Sequence, residues 1–439
     1  MLLVSLYAVT LWADEAHKLV APEAATTHPD QIKGISLEVA RSIEAKSRGQ
    51  PIYANNWMIA AANPYAVEAG AELLRDGGTA VDAMIAVQTV LGLVEPQSSG
   101  IGGGAFLVWY DAESKKITTL DGRETAPLAA TPSLFQTDEG VPLDFWDAVV
   151  GGRSVGVPGT PALMEMAHRK WGKLAWGKLF NVAISLAENG FIVSPRLARL
   201  VANDARRLSR FSTSASYFFP DGKPLAAGDR LINREYANVM RRMANEGANV
   251  IYSGEIADSI VETVQNSKNN PGALSLDDLT IYSVKERPAV CTQFRDYKVC
   301  GMGPPSSGAL TVGQILGMIN RFPVGAPDNA QTLRLMGDAT RLAFADRGRF
   351  IADSDFVAVP TKGLVSEAYL KDRASLLTES EALQKVAPGN PEFLHSSSRA
   401  DDISLEFAST SHISIVDSYG NALSMTTTIE NAFGSRLVT

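Results

Sequence analysis

The tightest constraint on how this chain can fold lies in two β-rich runs close to its end. Residues 410–416 (TSHISIV) and 422–428 (ALSMTTT) flank the turn-forming pentapeptide DSYGN at 417–421. Asp, Ser, Gly and Asn between runs of β-branched residues predict an antiparallel hairpin. With Val416 opposite Ala422, Ile413 meets Met425, Ile415 meets Leu423, His412 meets Thr426 and Thr410 meets Thr428. Side chains alternate between the faces of a strand. One face then carries Ile413, Ile415, Leu423, Met425 and Ile429. The other carries Thr410, His412, Ser414, Ser424, Thr426, Thr428 and Glu430. Opposed Cβ atoms lie about 4.5 to 5.5 Å apart, so the Thr428 hydroxyl reaches that of Thr410. A slip of one residue would remove it.

Hydroxyl side chains on a half-solvated strand face are common, and a hydroxyl becomes a useful nucleophile only beside a base. His412 is two residues along the strand from Thr410, about 6.6 Å away, which is too far. Cutting the chain between Ser409 and Thr410 would supply a nearer base. Thr410 would gain a free α-amine, which titrates at about 7.7 to 8 and suits proton transfer near neutral pH.

Composition removes several other classes. The 439 residues are 45% hydrophobic and 20% charged, typical of a packed protein and unlike disordered, collagenous or coiled-coil chains. Lys and Arg number 40 against 48 Asp and Glu, a formal charge of −8 with no long basic run, which argues against nucleic acid. The five histidines (His17, His28, His168, His395, His412) and two cysteines (Cys291, Cys300) contain no i, i+4 histidine pair, so zinc-finger and metalloprotease schemes lack ligands. Residues 1–13 (MLLVSLYAVTLWA) are apolar but too few to span a bilayer. They are expected to be a secretory signal, or else a buried strand, and export would give a periplasmic or secreted protein with no stable membrane anchor. Cys291 and Cys300 flank a polar turn between two strand-like runs, which permits either a cross-hairpin disulfide or two free thiols.

Along the chain, Asn63 and Pro64 open a helix that Gly77 and Gly78 close, and Thr79 can cap a second, more apolar one running towards Leu93. The glycine loop EPQSSGIGGG (95–104) follows, then strand-like runs at 105–110 and 117–120. Gly100, Gly102 and Ala105 fit G-x-G-x-x-A. A dinucleotide site needs a strand before the glycines and a helix after them, and here that order is reversed. A tight turn or close backbone approach accounts for the glycines instead. Two helical stretches are expected between 153 and 190, and 333–350 reads as helix. Residues 379–406 lack apolar periodicity and read as an exposed linker ahead of Thr410.

Seven segments in this order make the sequence resemble the γ-glutamyltranspeptidases (glutathione hydrolases), self-cleaving N-terminal nucleophile hydrolases: 76–83 (DGGTAVDA), 95–104, 121–127 (DGRETAP), 154–160 (SVGVPGT), 304–308 (PPSSG), 341–347 (RLAFADR) and 410–417 (TSHISIVD). The resemblance implies an α+β fold, a four-layer αββα sandwich of two antiparallel sheets covered by helices. It implies that Thr410 attacks the Ser409–Thr410 bond during maturation and is then the catalytic nucleophile, with Thr428 hydrogen-bonded to it. Residues 31–409 would form the large-subunit region of one catalytic domain, and 410–439 would begin the small subunit of the same precursor. By the same resemblance Arg123 would bind the α-carboxylate of a γ-glutamyl group, as a bidentate guanidinium suits. Glu430 would pair with its α-ammonium. The implied reaction passes the γ-glutamyl group of glutathione or related peptides through a Thr410 ester to water, an amino acid or a dipeptide, with neither metal nor organic cofactor.

Family members continue beyond the position of Thr439, so the sandwich is expected to be incomplete at its C-terminus, without the oxyanion-hole residues. Two rival readings accompany this one. A glutaryl or cephalosporin acylase, or a poly-γ-glutamate depolymerase, would share Thr410 and Thr428. An unprocessed, non-catalytic homologue would share the motifs alone.

Overall fold

The computed structural model describes residues 34–378, 381–393, 399–402 and 409–439. The apolar run at 1–13, together with His17, His28 and His395, lies outside them. The described residues divide into two compact units, one of 34–115, 120–285 and 409–439, the other of 116–119 and those described between 286 and 402.

In the first unit, strand β1 (Met58–Ala60) leads into helix α1 (Pro64–Arg75), whose N-cap Asn63 accepts the Tyr65 N–H at 3.1 Å. Helix α2 (Ala80–Val94) starts at Thr79 in a capping box. The Thr79 hydroxyl accepts the Asp82 N–H at 3.3 Å while the Asp82 carboxylate accepts the Thr79 N–H at 2.9 Å. Every residue of α2 except Gly92 is buried, as expected for a helix apolar all round, so it forms the centre of the core. Strand β2 (Gly104–Asp111) follows, then strand β3 (Lys116–Gly122), of which only 120–122 belong to this unit, helix α3 (Thr160–Trp171) and helix α4 (Pro195–Asn203), which runs directly into Asp204.

In the second unit, strand β4 (Lys285–Arg287) precedes a hairpin of β5 (Val290–Phe294) and β6 (Tyr297–Gly301), then helices α5 (Gly308–Ile319) and α6 (Ala330–Phe350). Cys291 pairs with Cys300 in the hairpin register, and the two form a disulfide. Of the two readings the sequence left open, the cross-strand bond is the one found. Met318, Ile319, Leu335, Leu342 and Ala343 make a core belonging to this unit alone. The expected linker at 379–406 is partly docked where it is described. Buried Asp338 accepts the Leu383 N–H at 3.0 Å and buried Asp346 accepts the Gly389 N–H at 2.8 Å, so carboxylates that no local pattern reveals hold it in place.

The chain returns to the first unit in β7 (Ser411–Val416) and β8 (Ala422–Thr428), both antiparallel. The strand order there is β1-β7-β8-β2. The observed pairs Val416 with Ala422, Ile415 with Leu423, Ile413 with Met425 and His412 with Thr426 are those expected. The apolar face lies on the core, with Ile413, Ile415, Leu423 and Met425 buried. Two details differ from expectation. Ser411 and Thr427 share that buried face, and β8 ends at Thr428. Glu430 has a φ of +77° and therefore leaves the strand in a left-handed turn instead of continuing its alternation.

Candidate active site

The hairpin register puts Thr410 beside Thr428, and the Thr410 hydroxyl donates to Thr428 Oγ1 at 3.2 Å. Thr410 is exposed while Ser409 is buried, so the peptide bond joining them crosses the surface of the unit. Both threonine hydroxyls converge on the Ser409 carbonyl oxygen, Thr410 Oγ1 at 2.6 Å and Thr428 Oγ1 at 3.1 Å. Thr410 has a single hydroxyl proton for two acceptors, this carbonyl and Thr428 Oγ1, so Thr428 is the donor that stays on the carbonyl when Thr410 Oγ1 attacks, and it polarises the carbonyl towards attack at carbon. The attacking atom of such a step, Thr410 Oγ1, already lies against it.

Ser409 is fixed from below by the glycine loop. Its hydroxyl donates to the Gln97 carbonyl at 3.0 Å, and the same carbonyl accepts the Phe433 N–H at 3.2 Å. Gln97 also bonds Glu95, a buried carboxylate that accepts from Asn63 Nδ2 at 2.9 Å and from Arg196 Nη1 at 3.2 Å. The reason for the glycines is visible at Gly103, where an added Cβ would collide with the Thr428 carbonyl. The Gly103 carbonyl in turn accepts the Gly159 and Thr160 N–H groups at 2.9 and 3.1 Å, joining the SVGVPGT segment and the start of α3 to the loop.

Glu430 connects this centre to Arg123. Its N–H donates to Thr428 Oγ1 at 3.0 Å, and its carboxylate meets Arg123 Nη2 at 3.4 Å. Thr410, Thr428, Glu430 and Arg123 thus form one hydrogen-bonded chain. The arginine backbone is clamped on both sides, since its N–H donates to Asp121 Oδ1 at 2.9 Å and its carbonyl accepts the Tyr282 hydroxyl at 2.8 Å. Its side chain is 39% exposed and that of Glu430 is 69% exposed, so an incoming ligand can reach both charges.

Glu124 was not legible from sequence, because beside Arg123 it reads as half of a surface ion pair. Its carboxylate does pair with Arg123 Nε at 3.2 Å, but it also packs against Gly104, where an added Cβ would collide with it. Burial pushes its carboxyl above the usual range, Arg123 opposes that shift, and the nearby Glu430 charge adds to it. His412 bonds Thr426 Oγ1 at 2.8 Å and Ser424 Oγ at 3.2 Å, with its pKa lowered by burial. These bonds tie it to the strand opposite, away from Thr410. Among the described residues no helix is long and apolar enough to cross a membrane.

Comparisons with known proteins identify the fold and the family. The fold is that of N-terminal nucleophile hydrolases. The γ-glutamyltranspeptidase of Helicobacter pylori superposes with a TM-score of 0.75 at 32% identity, covering 79% of this chain and 100% of that one. A cephalosporin acylase from Bacillus halodurans also gives 0.75, at 26% identity, covering 88% of this chain and 68% of the other. The glutathione hydrolase proenzyme of Bacillus subtilis (strain 168) is 34% identical over 388 residues, which is 87% of this chain and 65% of that relative, so the chain spans somewhat under two thirds of its length. The gamma-glutamyltranspeptidase family model matches residues 66–439, and the chain belongs to that family.

Proposed function

We propose that this chain is the nucleophile-bearing part of a self-processing γ-glutamyl hydrolase and transferase. The observation that carries the reading is the hydrogen-bonded run from Thr410 through Thr428 and Glu430 to Arg123. In maturation Thr410 Oγ bonds to the Ser409 carbonyl carbon, the C–N bond breaks, and the nitrogen takes the hydroxyl proton. Thr428 stabilises the developing oxyanion by donating to it. Water then hydrolyses the ester, leaving a Ser409 carboxylate on the large fragment and a free Thr410 amine on the small one.

In the mature protein that amine takes the Thr410 hydroxyl proton as Oγ attacks the γ-amide carbonyl of glutathione or a related peptide. The departing amine leaves protonated, and a γ-glutamyl ester remains for water, an amino acid or a dipeptide to discharge. Arg123 and Glu430 face each other with opposite charges, and a zwitterionic amino-acid head group satisfies both by exchanging its carboxylate and ammonium for their mutual contact. The apolar run at 1–13 and the Cys291–Cys300 disulfide, a bond typical of oxidising compartments, support an exported, periplasmic or secreted enzyme.

The test is to purify the full-length product, follow it on a denaturing gel, sequence the new amino terminus, and assay γ-glutamyl and glutaryl anilides. We expect a terminus reading Thr-Ser-His and turnover that favours the γ-glutamyl donor. A chain that stays uncut overturns the nucleophile assignment. A preference for the glutaryl donor assigns the site to an acylase instead.

A further inference from the structure

Glu430 sits in a turn that its own backbone disfavours. After β8 the chain passes through Glu430 (φ +77°), Phe433 (φ +61°), Gly434 (φ +50°) and Arg436 (φ +65°), all left-handed and three of them with side chains. Residues with a Cβ occupy that region only where the surroundings over-determine it. Here the surroundings centre on one buried guanidinium, since Arg436 is 1% exposed. Its Nε and Nη2 donate to the two oxygens of Asp204, at 2.8 and 3.3 Å. Its Nη1 donates to Asn431 Oδ1 at 2.6 Å and to the Gly434 carbonyl. Its own carbonyl accepts the Ser214 hydroxyl at 2.6 Å, and its guanidinium lies 5.0 Å from the centre of the Trp146 ring.

The planar fork of arginine suits this task, because one rigid group ties both ends of the turn to the residue that follows α4. Asp204 is itself buried and supplies the opposite charge that keeps the guanidinium from being uncompensated. Asn431, the side chain gripped from within the turn, is the neighbour of Glu430. The grip therefore acts on the backbone that aims the Glu430 carboxylate at Arg123.

We propose that Arg436, neutralised by Asp204, is a positioning residue that fixes Glu430 and so sets the preference for donors with a free α-amino group. The proposal rests on the reading that Glu430 receives the substrate ammonium.

The experiment uses the full chain and the variants Arg436→Met, Arg436→Lys, Asp204→Asn and Glu430→Gln. It measures kcat and KM for γ-glutamyl and glutaryl anilides per mole of cleaved chain. Glu430→Gln sets the reference and is expected to lower the ratio of kcat/KM values, γ-glutamyl over glutaryl, by about tenfold, the scale of one charge-assisted hydrogen bond. Arg436→Met and Asp204→Asn are expected to lower the ratio comparably, mainly through a higher KM for the γ-glutamyl donor. Arg436→Lys should recover part of it, since an ammonium can face Asp204 but cannot also reach Asn431 in fork geometry. A purely structural role would reduce the cleaved, active fraction and leave the ratio untouched. An unchanged ratio in the Arg436 and Asp204 variants, with Glu430→Gln lowered, overturns this proposal alone. An unchanged ratio in Glu430→Gln overturns the underlying reading and the proposal together. If Arg436→Met yields no cleaved chain, Arg436→Lys and Asp204→Asn decide between these outcomes.

Discussion

Thr428 receives hydrogen bonds from the Thr410 hydroxyl and the Glu430 amide and passes one to the Ser409 carbonyl, so in the proposed reaction a single hydroxyl would organise nucleophile, electrophile and binding residue. Thr428→Val keeps the shape and removes the donor. Self-cleavage should slow by about 10²- to 10³-fold, the usual effect of losing one oxyanion donor, while stability changes by about 1 kcal/mol, as gel time courses and thermal melts would show. Both threonines were legible because period-two alternation fixes which side chains oppose each other. Glu124 was not, because its inward turn depends on Gly104, twenty residues earlier at the start of β2. Its raised pKa makes a prediction with a definite sign. Between the ordinary carboxyl range and the higher folded value, the folded protein holds a proton that the unfolded chain releases. Stability contributed by Glu124 is therefore full below that window and lost as pH rises through it. Glu124→Gln should remove this slope, giving a melting temperature above the parent's at pH 7.5 and a smaller difference at pH 4.5. An equal difference at both pH values would show that folding does not raise the Glu124 pKa.

The hairpin is joined to the buried helix α2 through its turn. Asp417, itself buried, accepts the Tyr419 and Asn421 N–H groups at 3.0 Å each, while its other oxygen accepts the Ala80 N–H at 2.9 Å. A carboxylate at the first turn of a helix satisfies an otherwise orphan donor and meets the positive end of the helix dipole. The turn sequence DSYGN identified the hairpin from local chemistry. The partner of its aspartate lies 337 residues earlier, beyond the reach of any local pattern. Asp417→Ala leaves three backbone donors unpaired and should cost about 2 to 4 kcal/mol in denaturant unfolding. Asp417→Asn retains the turn bonds and should cost less than half of that. Thr79→Ala, which opens the capping box on the same helix, should cost about 1 kcal/mol. Equal losses for Asp417→Ala and Asp417→Asn would mean that charge alone, and not the set of hydrogen bonds, holds the turn.

At the scale of the whole chain, helices and hairpins followed from caps, periodicity and turn residues, but their arrangement did not. Nothing between Met58 and Val416 announces that β1 pairs with β7, because strand order is decided by which apolar faces remain to be covered once the local elements exist. The division into two units was equally hidden, since it appears only in which buried residues touch. That division makes a prediction about the disulfide. Cys291 and Cys300 close a short loop within the second unit, nine residues apart, and constrain its unfolded ensemble. In the chain-entropy account such a loop contributes about 2 to 3 kcal/mol. Replacing both cysteines with serine should speed amide exchange in β5, β6 and α5 by about 30- to 150-fold, on the scale of that free energy, because opening of this unit governs exchange there. Cleavage between Ser409 and Thr410 should keep its rate, because both hydroxyls that meet that carbonyl among the described residues belong to the first unit. Cleavage that slows in step with faster exchange would mean that the two units open together, and stability at Thr410 would then depend on a bond in the other unit.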